Sequence, residues 1–223
     1  MKKTLSIFIL SILILISLSA CAKNEELFPA NGVLIIGDEN YTSTIMNRYK
    51  ENTKEHEIFP VKTGRFEKGK VLILNESTAQ AMIKAKVFRK SDHVSFFKPL
   101  DTLPNFPKES SLLFINEEEK NIKSIEIEGK EIPVKYDSDA WLGNKRNYGA
   151  LWYIIVAKNS VYKEIKANET NMQLLHLKKS LGDEEPKMST DNTLINENIK
   201  VRNLLKGLNG KVSVQFVTIG EKS

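Results

Sequence analysis

The sequence predicts an α+β fold built on a mixed sheet, and three observations carry that reading. Short β-rich runs alternate with amphipathic helical stretches in the N-terminal half. Strand-like segments resembling a β-meander fill the middle, and helical spacing returns near the C-terminus. With 41% hydrophobic and 27% charged residues, the chain has ordinary globular proportions and enough apolar material for a core.

The first run, Val33-Leu34-Ile35-Ile36-Gly37, follows Asn31-Gly32 and reads as a strand, with a helix expected from Thr42 to about Glu51 and a second strand over Glu57 to Val61. Val71 to Leu74 repeats the strand. The helix expected from Glu76 to Arg89 sets Ala79, Met82, Ile83 and Val87 along one face. Pro99, Pro104 and Pro107 each fix φ and remove a donor, so regular structure should break there, at a lobe boundary near 99–110 or in a long surface loop.

Three strands are then expected, Leu112 to Ile115, Ile122 to Glu128 and Ile132 to Tyr136. Gly129-Lys130 suits a two-residue type II′ turn between the last two. Pro133 argues for an edge strand. Gly149 to Ala157 is apolar without interruption from Leu151, as expected of a strand buried on both faces at the centre of the fold. Helices are expected over Thr170 to Leu181, with Leu174, Leu177 and Leu181 on one side, and over Asn192 to about Lys206. Gly182 and Gly207 are suitable stops. Val212, Val214 and Phe216 alternate with polar residues as a last, half-buried strand.

The N-terminus divides into Met1-Lys2-Lys3, an apolar run from Leu5 to Leu18, and Ser19-Ala20-Cys21. That is the three-part plan of a signal peptide. As a helix the run would span roughly 21 Å, short of the roughly 30 Å hydrocarbon core, so a stable transmembrane helix fits less well. Leu18-Ser19-Ala20-Cys21 resembles the lipobox of bacterial lipoproteins, and the resemblance covers only this leader. It implies cleavage before Cys21 and acyl chains, palmitate among them, on Cys21. Two or three such chains anchor a protein stably where one does not. The division is then a signal peptide over 1–20, a tether over 21–30 and a single α+β domain over 31–223. Cys21 is the chain's single cysteine, so an intrachain disulfide and a cysteine-based zinc site elsewhere are excluded.

The leader holds two lysines and no acid, so the formal charge of +5 falls to +3 in the mature chain, and acids and bases alternate through it. That is a solvated mixed-charge surface, not the clustered basic footprint of a nucleic-acid binder. Ser160-Val161-Tyr162-Lys163 and Ser95-Phe96-Phe97-Lys98 both match S-x-x-K, but the sole K-T-G, Lys62-Thr63-Gly64, precedes both, the wrong order for a β-lactamase-type enzyme. His56-Glu57 opens like a zinc-protease motif, yet Pro60 stands where the second histidine belongs. His56, His93 and His176 are far apart in sequence, and His176 reads as a helix-border residue. Asp137-Ser138-Asp139 begins like a calcium loop, but Trp141 and Leu142 replace the next ligand and the required glycine. No metal or cofactor is expected.

The segment from Asp137 to Tyr148 is expected to be a loop. Its Asp137, Asp139, Trp141, Arg146, Asn147 and Tyr148 combine charge, amide and aromatic surface, which suits a peptide, glycan or protein partner. The bland reading of Trp141 is packing of that loop onto the core. The leading functional expectation is a non-catalytic, lipid-anchored binding or accessory protein on the extracytoplasmic face of the cell membrane. Alternatives are an envelope hydrolase using Asp137 and Asp139, and a surface immunity or inhibitor lipoprotein. Abundant Lys, Asn and Ile suit a Gram-positive origin.

Overall fold

The structure, a computed structural model, describes residues 29–67, 69–92, 96–144, 152–182, 193–208 and 210–220. The leader, with Cys21, lies outside these residues. In chain order the elements are β1 (Ala30–Gly37), α1 (Glu39–Tyr49), β2 (Thr53–Phe66), β3 (Gly69–Asn75), α2 (Glu76–Lys84), β4 (Phe88–Asp92), β5 (Phe96–Pro99) and β6 (Ser111–Phe114). They continue with β7 (Ser124–Ile127), β8 (Lys130–Ser138), β9 (Ala140–Leu142), β10 (Trp152–Ala157), α3 (Asn159–Glu164), β11 (Asn168–Leu181), α4 (Thr193–Leu205) and β12 (Val212–Val217). Nine strands form one mixed sheet in the order β12-β1-β11-β2-β3-β10-β6-β8-β7, and β5-β4-β9 form a second, small sheet. The fold is α+β, as the sequence predicts.

Local chemistry sets the early boundaries. Asp38 accepts a hydrogen bond from the Asn40 amide at 2.9 Å and starts α1 three residues ahead of the expected Thr42. Thr42, Ile45 and Tyr49 form its buried stripe. Asn75 caps α2 in the same way, through the Thr78 amide at 2.8 Å. The Ala79, Met82 and Ile83 stripe is buried as predicted, but the helix stops at Lys84. Lys86 takes the left-handed conformation (φ 59°) and turns the chain into β4, so Val87 packs from beyond the helix.

Alternation along the strands sorts the apolar residues into layers. Leu34, Ile36, Leu72, Leu74, Ile154 and Val156 face α2, the small sheet, and Leu100, Leu103 and Phe106 of the proline-containing segment. On the opposite face, Val33, Ile35 and Leu175 meet Ile45 and Tyr49 of α1 and Val201 of α4. Farther along that face, Val71, Ile73, Tyr153 and Ile155 meet Ile125, Ile127, Ile132 and Val134 of the β7–β8 hairpin. The sheet curls until β7 lies against β2: a Cβ on Gly64 would come within 2.9 Å of the Ile127 side chain, so any larger residue there forces a shift. β10 lies between β3 and β6 with both faces covered, which confirms its central place.

The middle strands exist but do not form the expected β-meander, because β8 lies between β6 and β7: β6 pairs parallel with β8, and β7 pairs antiparallel with it. The turn is Glu128-Gly129, one residue earlier than expected. Positive φ at both (52° and 76°) makes it type I′ in place of type II′. Pro133 is not on an outer strand of the sheet. Pairing of β8 with β6 begins only at Val134, so β8 is locally an edge where the proline's missing donor falls.

The larger correction concerns Thr170 to Leu181, expected as a helix and found as most of β11, a 14-residue strand. It pairs along its length with β1 on one side and β2 on the other. Leu174 and Leu175 therefore enter opposite layers, and a run buried on both faces loses the alternation that marks a strand. The helix expected from Asn192 is α4, and the last strand is β12.

Candidate functional site

At one end of the large sheet, β1 and β2 finish while β3, β10, β11 and β12 begin. An open cleft of about 630 Å³ lies there, within the size range of small-ligand sites. Arg65 of β2 is paired in register with Lys70 of β3, which is paired in turn with Trp152 of β10. Residues so paired share a face, so a guanidinium, an ammonium and an indole form a row across three strands. The Lys70 ammonium lies 5.4 Å from the Trp152 ring centroid and donates to the Gly210 carbonyl at 3.3 Å. On the far wall, Lys211 donates to the Tyr41 hydroxyl at 2.8 Å.

Asp38 and Glu128 also line the cleft, leaving three cations against two acids. Among the described residues neither Arg65 nor Lys70 makes an ion pair. Like charges directly opposite one another on paired strands are unfavourable in general, and an anion placed between these two would meet both. Thr63 and Asn168 add polar groups, hydrogen-bonded to one another at 3.3 Å, and Thr170 contributes a buried hydroxyl oxygen with no partner. The arrangement can hold an anionic group by forked and charge-assisted hydrogen bonds beside aromatic surface.

The sequence-predicted site lies elsewhere. The described part of the expected loop, residues 137–144, is largely strand: Asp137 and Ser138 end β8, and Trp141 is on β9. The Asp137 carboxylate accepts from the Ser138 hydroxyl at 2.8 Å. The Asp139 carbonyl accepts from the Ser91 amide at 2.8 Å. The half-buried Trp141 ring meets Phe97 edge-on, 5.9 Å between centroids. None of these three lines the cleft, and Arg146, Asn147 and Tyr148 lie outside the described residues.

Of the histidines, His56 and His176 sit on neighbouring strands but face opposite sides of the sheet, since His56 is in register with Leu175. His56 contacts Gln173 at 3.0 Å. His176, buried on β11 and not at a helix border, contacts Glu57 at 2.8 Å. His93 lies outside the described residues. No group of three or more metal-ligating side chains occurs among those described.

The sharpest electrostatic perturbation is structural and ties α4 to α1. Arg48 holds Glu197 in a two-pronged ion pair at 2.6 and 2.8 Å, and the Tyr49 hydroxyl donates to the same carboxylate at 2.8 Å. The Arg48 hydrogen bonds hold the Glu197 carboxyl below its usual range, against the opposing effect of burial. Burial, reinforced by Glu197, raises Tyr49 above its ordinary value.

The sequence profile of an uncharacterised lipoprotein family matches residues 30–206, most of the chain. The chain belongs to that family. This assignment rests on the folded domain and agrees with the lipobox read separately from the leader. A 1.5 Å crystal structure of a candidate lipoprotein from Bacillus anthracis is similar to this lipoprotein: 26% identity, a TM-score of 0.62, 86% of this chain covered and 100% of the other. No curated protein matches the lipoprotein. Among its described residues no helix is long and apolar enough to cross a membrane.

Proposed function

We propose that the lipoprotein is a non-catalytic binding or accessory protein, anchored through Cys21 on the extracytoplasmic face of the cell membrane, as in a Gram-positive envelope. Its cleft takes an envelope glycan that carries anionic groups. The observation carrying this reading is the Arg65–Lys70–Trp152 row, in which two cations stand side by side next to an aromatic ring in an open cleft. A phosphate or carboxylate between the cations satisfies both, and Trp152 and Tyr41 supply flat surface for the sugar rings.

The Trp141→Phe variant leaves Trp152 as the only indole, a reporter inside the cleft. Titration with poly(glycerol phosphate), set against a neutral chitooligosaccharide, should change its emission saturably with the anionic polymer alone. Arg65→Gln with Lys70→Gln should weaken that response at least tenfold. A folded protein that responds to neither polymer, or equally to both, contradicts the proposal.

A further inference from the structure

The position of α4 relative to the anchor is set by a contact at Gly182. A Cβ placed there would lie 3.8 Å from both the Leu194 side chain and the Pro29 backbone. The chain thus enters the domain beside the first turn of α4. Cys21 precedes Pro29 by eight residues, a reach of at most about 28 Å even when fully extended. With the sulfur of Cys21 acylated, this end of α4 is held close to the bilayer.

The inner side of α4 is occupied: Glu197 joins Arg48 and Tyr49, and Val201 is in the core. Its outer side carries Ile195, Ile199 and Arg202, spaced four and three apart, so the three form one ridge, and the exposed Lys206 follows directly after the last helical residue. Ile195 is 46% exposed and Ile199 49%, and both bases beyond them are exposed. Apolar residues thus lie nearest the tether, with cations farther along, the composition of a helix resting in the plane of an anionic lipid surface.

We infer that this outer ridge of α4 lies on the bilayer that holds Cys21, with Ile195 and Ile199 at the acyl boundary and Arg202 and Lys206 against anionic headgroups. The inference rests on the lipid-anchored reading above. It also orients the cleft. α4 and the turn after it lead from the tether end of β1, at Pro29, to Lys211 beside Gly37 at the other end of β1 and in the cleft wall, so the strands would lie along the membrane.

The test uses the full lipidated chain in vesicles of phosphatidylglycerol and phosphatidylcholine. Once Cys21 is acylated, a cysteine introduced as Ile199→Cys is the only free thiol and can carry a fluorophore. Gln80→Cys, exposed on α2 across the sheet, is the control. Nitroxide-bearing lipids should quench the label at 199 at least threefold more than that at 80, and Arg202→Glu with Lys206→Glu should remove most of the difference. Equal quenching at both sites, on protein whose mass shows the acyl group, overturns the inference and leaves the anchor standing. Self-quenching at 199, the mark of a second copy seated on α4, also overturns it. A mass without acyl groups overturns both readings.

Discussion

Glu197→Gln tests the joint between α4 and α1. The substitution keeps the shape and one acceptor oxygen but removes the charge that Arg48 grips at 2.6 and 2.8 Å and that Tyr49 meets at 2.8 Å. Hydrogen bonds to a charged group each contribute roughly 1.5–3 kcal/mol, and cutting a fully buried ion pair costs roughly 3–5 kcal/mol. The Glu197 side chain is only 11% exposed, but that of Arg48 is 31% exposed and can recover water. The expected loss is therefore about 2 kcal/mol, equivalent to about 4–8 °C in Tm for a chain of this size. Thermal and urea unfolding followed by circular dichroism read it directly. Replacing all three groups, Arg48→Met and Tyr49→Phe with Glu197→Leu, should restore most of the stability because neither a charge nor the buried Tyr49 hydroxyl is left stranded. A loss under about 0.5 kcal/mol in the single variant would show that the pair is solvent-screened and refute the reasoning.

The same carboxylate sets a pH dependence. Its folded-state pKa is lowered from 4.5, so its stabilisation is present above that value and lost as the pH falls through the depressed one. The stability gap between wild type and Glu197→Gln should accordingly close on acidification, and a constant gap would contradict the assignment. Gly64→Val should cost about 1–3 kcal/mol by overpacking against Ile127, with urea unfolding as the readout. Tyr162 is pushed up to about 12, chiefly by burial and also by Glu169, so ultraviolet titration of the phenolates should show a late step near pH 12 that Tyr162→Phe removes. Cys21→Ser should abolish labelling by an alkyne fatty acid in cells, and persistent labelling would locate the acyl group elsewhere.

Much of the fold is legible in the sequence where local chemistry agrees with tertiary demand. Asn75 and the Ala79, Met82 and Ile83 stripe specify α2, and the apolar run from Tyr153 to Ala157 specifies a buried strand. β11 is not legible because Leu174, Leu177 and Leu181 satisfy helical spacing by themselves. What makes the segment a strand is pairing with β1 and β2, more than a hundred residues away. The cleft is hidden for a related reason. Arg65, Lys70 and Trp152 come from three strand ends and Lys211 from the turn just before β12, brought together only by the sheet order, so no linear motif marks them. The available signal is weak: charged or aromatic residues next to apolar strand runs. Asp137 to Tyr148, by contrast, draws notice through composition alone.

Photocrosslinking from the cleft in living cells tests the central claim most directly. A benzophenone side chain at Tyr41, in the otherwise native lipoprotein, reaches into the space between Lys211 and the Arg65–Lys70 row. The account predicts a crosslink to anionic envelope glycan that disappears with Arg65→Gln and Lys70→Gln and is absent when the probe is at Gln80. Crosslinks that are the same from both positions, or that persist when the two cations are removed, would contradict it.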